Sequence, residues 1–233
     1  MGILEPLITW DKHLLLTLNG LHTAWLDHFM WLMSQTVVWL PFFVFFLYLL
    51  IRNKQSQSIW LILTFALLIT FTDQIASGVF KPLVERLRPT HDPTISNLVH
   101  IVNNYRGGRY GFFSSHAANV FAFAGLSLLL VRRWLYTVLI LIWASLIAYS
   151  RVYLGVHFPL DVLTGAAFGL LSSIGFNFLY HLLSGTKTTK RGGKVGKRRK
   201  TTEEFSQNEA NQLNSILAIV LIACLLSSYY LTW

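Results

Sequence analysis

Residues 134–183 decide the fold: they read WLYTVLILIWASLIAY, then SRVYLGVHFPLD, then VLTGAAFGLLSSIGFNFLYHLL. The first and third of these segments are apolar, and each is close to the roughly 20 residues that a helix needs to cross a bilayer. The middle segment places Arg151, His157 and Asp161 between them. Because ionisable groups are costly next to hydrocarbon, their presence here indicates a functional site at a membrane boundary.

Apolar runs recur along the rest of the chain. Of its 233 residues, 54% are hydrophobic and only 12% are charged, which is apolar for a soluble domain of this size. Membrane-spanning helices are predicted at 36–51, 58–80, 116–131, 134–150, 161–183 and 215–233. The predicted fold class is an all-α, polytopic transmembrane helical bundle of five to six spans with a polar pocket at its outer face.

The sequence divides into four predicted segments. Residues 13–33 are apolar but interrupted by polar side chains, which favours a helix that lies in the membrane interface over one that crosses. The predicted segments are an N-terminal interfacial amphipathic helix in 1–35, a membrane core in 36–184, a basic cytoplasmic linker in 185–212 and a C-terminal transmembrane helix in 213–233.

Basic residues orient the predicted spans. The net charge of +9 comes largely from the run KTTKRGGKVGKRRK at 187–200. When successive spans alternate in direction, three basic segments fall on the same side of the membrane: this run, Arg52 with Lys54, and Arg132 with Arg133. The positive-inside rule predicts that this side is cytoplasmic. We therefore expect a membrane partner and no nucleic acid, and no obligate protein partner is implied.

Two polar clusters on the opposite side carry positive charge. The segment KPLVERLRP at 81–89 places Lys81 and Arg88 about two helical turns apart, and so on one side of a helix. Together with Arg151 they supply three positive groups, and an Arg guanidinium can hold two phosphate oxygens at once. The pattern predicts a site for a phosphate.

A third cluster, FFSSHAANV at 112–120, contributes to the same site. Ser114 or Ser115 is suited to cap a helix, whose free backbone N–H groups form an anion site. Of the two imidazoles, His116 and His157, one can attack phosphorus and the other can protonate the leaving oxygen. Asp161, four residues after His157, is placed to accept an imidazole N–H. The acidic residues on this side form no cluster for metal ions, so we expect no metal and no cofactor.

These motifs together resemble the type 2 phosphatidic acid phosphatase superfamily of membrane lipid phosphatases. The family pattern is Lys, six residues, Arg-Pro; then Pro-Ser-Gly-His; then Ser-Arg, five residues, His, three residues, Asp. The first and third elements match in full, and the resemblance covers roughly residues 60 to 183. In the second element, Phe113 and Ser115 replace the Pro and the Gly; Ser115 would be strained if that position needs a positive φ and would fit well in a first helical turn.

The resemblance implies a role for each residue. His157 would be the nucleophile that forms a phosphohistidine, Asp161 would orient it, and His116 would be the acid for the leaving group. The phosphate would be held without a metal by Lys81, Arg88, Ser114, Ser115 and Arg151.

The resemblance also implies a substrate class and a location. The substrate would be a phospholipid or an isoprenoid phosphate, with undecaprenyl diphosphate, phosphatidylglycerophosphate, phosphatidic acid and lipid A phosphate as candidates. The location would be a bacterial inner membrane, with the site facing the periplasm or exterior. Two alternatives stay open: a lipid phosphotransferase that uses the same phosphohistidine, and a non-enzymatic scaffold or transporter.

Some polar residues allow more than one interpretation. Arg86, Arg106 and Arg109 are either ordinary outer-loop residues or further contacts for a polyanionic headgroup. Asp73 lies inside a predicted span, where it needs a polar partner or has a functional role.

Overall fold

The computed structural model describes residues 4–54, 57–184 and 205–230 of the chain. Helices make up almost all of the regular structure in these ranges. The α-helices are α1 (Leu4–Asn19), α2 (Ala24–Ser34), α3 (Leu40–Lys54), α4 (Ser58–Gln74), α5 (Lys81–Val84), α6 (Ser115–Val131), α7 (Trp134–Tyr153), α8 (Pro159–Ser184) and α9 (Gln207–Tyr230). A 3-10 turn at Thr36–Trp39 precedes α3, and a π-helical stretch at Ile75–Phe80 joins α4 to α5.

The predicted all-α membrane bundle is confirmed. Five helical stretches in the described ranges are long and apolar enough to cross a membrane: Thr36–Asn53, Ser58–Val84, Trp134–Tyr153, Pro159–Ser184 and Gln207–Tyr230. The one remaining predicted span, 116–131, corresponds to the shorter apolar helix α6. Buried aromatic rings fill the centre of the bundle, where Trp39 and Trp143 pack edge to face with ring centroids 5.6 Å apart.

The N-terminal segment forms two helices where the sequence predicts one over 13–33. The break follows Asn19, because Gly20 ends α1 and the Thr23 hydroxyl caps α2 by accepting the Leu26 N–H at 3.2 Å. The Asn19 side chain holds the break in place by donating to the backbone oxygens of His100 at 3.0 Å and Tyr153 at 2.7 Å. An interfacial position for these helices stays a prediction.

The last helix begins earlier than predicted. It starts at Gln207, inside the segment 185–212 that the sequence assigns to the linker. A capping box explains the earlier start: the Ser206 N–H donates to a Glu209 carboxylate oxygen at 2.7 Å, and the Glu209 N–H donates to the Ser206 hydroxyl at 3.3 Å. The basic run at 187–200 lies outside the described residues.

The contact between α6 and α8 positions much of the site. Gly165 and Gly169 let the two backbones approach closely, since a Cβ added at Gly169 would lie only 2.2 Å from the Ala118 carbonyl oxygen. At Gly165 it would lie 2.4 Å from the Ser114 carbonyl oxygen. The start of α6 is therefore held against the start of α8, where the Ser114 N–H donates to the Asp161 carbonyl oxygen at 3.0 Å.

The polar loops collect at one end of the bundle. The segment 85–114 and the turn at 154–158 lie at this end, beside the start of α6. Arg132 and the start of the last helix lie at the other end, where the Phe205 N–H donates to the Leu130 carbonyl oxygen at 3.2 Å. The orientation of these two ends relative to the cell stays a prediction.

Candidate active site

The three polar clusters of the sequence meet at this loop-bearing end. Lys81, at the start of α5, donates to the hydroxyls of Ser77 at 2.9 Å and Ser115 at 3.2 Å. Gly111 packs where a Cβ would lie 3.2 Å from an Asp161 carboxylate oxygen and 3.6 Å from His157 Nδ1. Segments that are distant along the chain thus surround one small volume.

Two arginines reach this volume with their charge buried. Arg88 is only 8% exposed, and its Nε donates to the Tyr110 carbonyl oxygen at 3.1 Å. Arg151 is 2% exposed and donates to the hydroxyls of Ser34 and Tyr105. Nη1 of Arg88 and Nε of Arg151 are buried without a hydrogen-bond partner. Because buried polar groups are rarely left unpaired, these donors are available to the oxygens of an anion.

A glycine-rich loop covers the Arg88 side chain. Gly107 has a φ of +66°, and a Cβ there would lie 2.4 Å from Arg88 Nη1. Only glycine combines that backbone conformation with such a close approach. The sequence YRGGRYG at 105–111 therefore shapes the arginine pocket.

The serines lie as predicted at the start of α6. Ser114 is the N-cap, and its hydroxyl accepts the Ala117 N–H at 3.4 Å. Ser115 is the first residue of the helix and is not among the described residues with a positive φ. Ser115, which replaces the glycine of the family pattern, therefore lies in a first helical turn and is not strained. The free N–H groups of this first turn face the same end as the cations.

His157 and Asp161 are adjacent but are not hydrogen-bonded through the ring. His157 lies in the turn before α8 and Asp161 in the first turn of α8. The distance from His157 Nδ1 to Asp161 Oδ2 is 3.7 Å, longer than a hydrogen bond. Oδ2 accepts the Phe158 backbone N–H at 3.0 Å. The spacing argument thus predicts the neighbourhood correctly, although the imidazole-to-carboxylate hydrogen bond is not formed in this structure.

Burial holds the pKa of His157 well below its ordinary value, and the charges of Arg88, Arg151 and Lys81 lower this pKa further. The ring is 1% exposed. At neutral pH the imidazole is therefore uncharged and keeps a lone pair for attack.

The low pKa of His157 has a measurable consequence. A lowered pKa preserves the neutral ring as the pH falls, so kcat/KM should not decline through protonation of His157 until the pH is well below about 6.5. The check is a profile of kcat/KM from pH 4.5 to 8. The phosphomonoester substrate itself titrates near pH 6, so its ionisation is measured in parallel and divided out. An acid limb that remains at about 6.5 or above would contradict the expectation.

His116 lies beside a cavity of about 370 Å³. His116 directly follows Ser115, whose hydroxyl accepts a hydrogen bond from Lys81. The cavity walls include apolar side chains of several helices together with a few polar groups: Met33, Trp39, Phe43, Phe123, Asp73 and Asn119.

Asp73 has the polar partner that an intramembrane carboxylate needs. The Asn119 amide donates to it at 3.4 Å, and the Thr72 hydroxyl donates to Asn119 at 2.7 Å. This small network spans α4 and α6 at the wall of the cavity.

Two residues of the site are missed by the sequence interpretation. Arg86 turns inward, where its guanidinium donates to Asp161 Oδ1 at 2.7 Å and to Asp11 Oδ2 at 2.6 Å. Asp11 comes from α1 and is fully buried. No motif marks Asp11. For Arg86, which lies inside KPLVERLRP, the sequence leaves open an outer-loop residue or a headgroup contact, and neither alternative predicts its pairing with two carboxylates.

Positive side chains, not grouped metal ligands, dominate the site. Across residues 4–54, 57–184 and 205–230, no three His, Cys, Asp or Glu side chains are grouped so that they could hold a metal ion. Lys81, Arg88 and Arg151 are all at least partly buried here.

Several known proteins are similar to this chain. The PAP2 superfamily model matches residues 62–184, which contain every predicted site residue. The lipid A 4'-phosphatase of Bacteroides thetaiotaomicron is 40% identical over 185 residues, 78% of this chain and 82% of that protein. The undecaprenyl-diphosphatase of Sulfolobus acidocaldarius is 32% identical over 153 residues, 66% of each chain.

Similarity extends to a solved structure. The crystal structure of a transmembrane PAP2-type phosphatidylglycerolphosphate phosphatase from Bacillus subtilis aligns with a TM-score of 0.58 and 24% sequence identity. The alignment covers 79% of this chain and 90% of that one. The two proteins therefore share a fold.

Proposed function

This chain belongs to the PAP2 superfamily and is an integral membrane lipid phosphatase, and from that premise we propose that it acts through a phosphohistidine on His157. The substrate would be a phosphomonoester or diphosphate of a membrane lipid. One observation carries the proposal: two buried arginines with unpaired donor nitrogens share a site with His157, whose pKa is held well below its ordinary value by burial and by the neighbouring charges.

The geometry supports a two-step reaction. Nδ1 of His157 faces Asp161, so the Nε2 lone pair would form the N–P bond while the bond from phosphorus to the leaving oxygen breaks. His116 would donate a proton to that oxygen. In the second step His116 would take a proton from water as its oxygen attacks phosphorus, which releases inorganic phosphate and restores the His157 lone pair.

The phosphate would be held by charge that the protein itself supplies. Arg88 and Arg151 would direct their unpaired nitrogens at the oxygens, and Lys81 would add a third positive charge. Ser115 would contribute its backbone N–H at the start of α6. Ser114 would support this turn as its N-cap, because the Ser114 N–H is donated to the Asp161 carbonyl oxygen. These groups neutralise charge that develops in the transition state, the role that a metal ion fills in other phosphatases.

The surroundings of the site favour a lipid. The apolar cavity beside His116 fits hydrocarbon better than a soluble leaving group. Among the candidates, a lipid A phosphate comes first, because the Bacteroides protein named for that activity matches most of this chain. Undecaprenyl diphosphate, phosphatidylglycerophosphate and phosphatidic acid are the other members of the panel. We propose a bacterial inner membrane, with the site facing the periplasm or exterior.

Phosphate release by detergent-purified protein tests the function. The panel is lipid A, undecaprenyl diphosphate, phosphatidylglycerophosphate and phosphatidic acid, each with and without EDTA. We expect one lipid to be turned over at least tenfold faster than the others, and the chelator to change the rate by less than about twofold. A rate that EDTA abolishes and added metal restores would contradict the proposed metal-free mechanism. Lipid-to-lipid transfer without free phosphate would identify a phosphotransferase.

A further inference from the structure

We propose that Arg86 and Asp11 are positioning residues that hold the Asp161 carboxylate in place for His157; this inference rests on the proposed function. The three side chains form one chain of ion pairs behind the imidazole, in which both carboxylates are fully buried and the Arg86 side chain is 20% exposed. Arg86 lies between the two carboxylates and donates one guanidinium nitrogen to each. Neither Arg86 nor Asp11 would touch the substrate.

Arg86 fixes the rotation of the Asp161 carboxylate. It occupies Oδ1 at 2.7 Å, and the Phe158 N–H occupies Oδ2 at 3.0 Å. Oδ2 is also the oxygen that faces His157 Nδ1. With both oxygens assigned, the carboxylate cannot turn away from the ring without losing a charge-assisted hydrogen bond. The neighbouring imidazole would then gain positive charge opposite a fixed acceptor when it is phosphorylated.

Asp11 fixes Arg86 in turn. Its Oδ2 accepts from Arg86 at 2.6 Å, and its Oδ1 accepts the Leu160 N–H at 3.0 Å. The Arg86 guanidinium also stacks over the Phe158 ring, 4.2 Å from the ring centroid. The guanidinium is therefore held from three sides, and α1 is connected to the first turn of α8.

The charge count explains why two carboxylates share one arginine. Arg86 alone would neutralise Asp161, whereas the chain carries a net negative charge when both carboxylates are ionised. That charge lies opposite the cationic set formed by Lys81, Arg88 and Arg151. Burial raises the pKa of Asp11, and the hydrogen bonds from Arg86 and from the Leu160 N–H oppose that rise.

Kinetic analysis of five variants tests the inference, with the preferred lipid of the panel as substrate. Arg86→Gln should lower kcat by about 100-fold and Asp11→Asn by about tenfold, each with KM within about threefold of wild type. Arg86→Lys should retain more activity than Arg86→Gln. The double variant should be several-fold more active than Arg86→Gln alone, since Asp11→Asn removes a carboxylate that the first change leaves unpaired. Lys12→Met is the matched control: Lys12 joins α1 to Asp92 at 2.8 Å, and this variant should keep wild-type kcat.

Each outcome decides between defined alternatives. Wild-type kcat in Arg86→Gln, or losses that multiply in the double variant and follow thermal stability, would show a structural role only. A rise in KM without a fall in kcat would show substrate contact instead of positioning. Should Arg86→Gln not fold, Asp11→Asn and Arg86→Lys still test the kcat effect. If wild-type protein releases no phosphate from any lipid, the proposed function fails, and that result is separate from the variants.

Discussion

His157→Gln should abolish phosphate release, lowering kcat by about 10⁴-fold or more. Glutamine fills part of the imidazole volume and keeps a polar group, yet its amide nitrogen has no lone pair available for attack. The measurement is phosphate release from the preferred lipid, together with a quench of ³²P-labelled substrate in base. Wild-type protein should retain acid-labile, base-stable label, and His157→Gln should retain none.

His116→Gln distinguishes the nucleophile from the acid. It should still become labelled, more slowly, because attack by His157 does not require His116 to form the N–P bond. His181→Gln, at the opposite end of α8, is the matched control and should match wild type in rate and label. Label on His157→Gln with an intact His116 would reverse the two assignments.

Much of the fold follows from local patterns that the sequence displays directly. Apolar runs locate the spans because a helix in lipid must satisfy its own backbone and present hydrocarbon outward. Exposed side chains such as Leu171 at 69% and Trp134 at 81% are consistent with contact with lipid. The same reasoning finds the Ser114 cap, since a helix that begins at a polar boundary needs an acceptor for its first N–H groups.

Other features depend on contacts between distant segments and have no local signal. Asp11 reads as an ordinary polar residue of an amphipathic helix, and only the packing of α1 against α8 shows that it is buried. Arg86 can be interpreted as a surface residue, because the sequence does not show whether its side chain points to solvent or into the site. The start of α9 at Gln207 had a local signal, Ser206 with Glu209, that the apolar run further along concealed.

Motif spacing predicts which residues belong to the site, but not how their side chains are arranged. Charge groups Lys81, Arg88 and Arg151, and the structure adds which of their donor nitrogens have no hydrogen-bond partner. The four-residue spacing predicts that Asp161 accepts a hydrogen bond from the His157 ring. In the structure His157 lies before the helix, and its Nδ1 is 3.7 Å from Asp161 Oδ2. Arg86 is closer to the carboxylate, since its guanidinium donates to Asp161 Oδ1 at 2.7 Å.

Arg151→Lys should lower kcat/KM by roughly 100-fold, the size expected for lost charge-assisted hydrogen bonds to a phosphate. Lysine keeps the positive charge but has one nitrogen, which cannot both reach the hydroxyls of Ser34 and Tyr105 and serve the substrate. Most of the loss should appear in KM and in weaker inhibition by inorganic phosphate. Arg132→Lys, the same change at the other end of the bundle, should leave both values unchanged. If Arg151→Lys stays within about threefold of wild type, only its charge matters and the fork geometry of the arginine has no role in holding the phosphate.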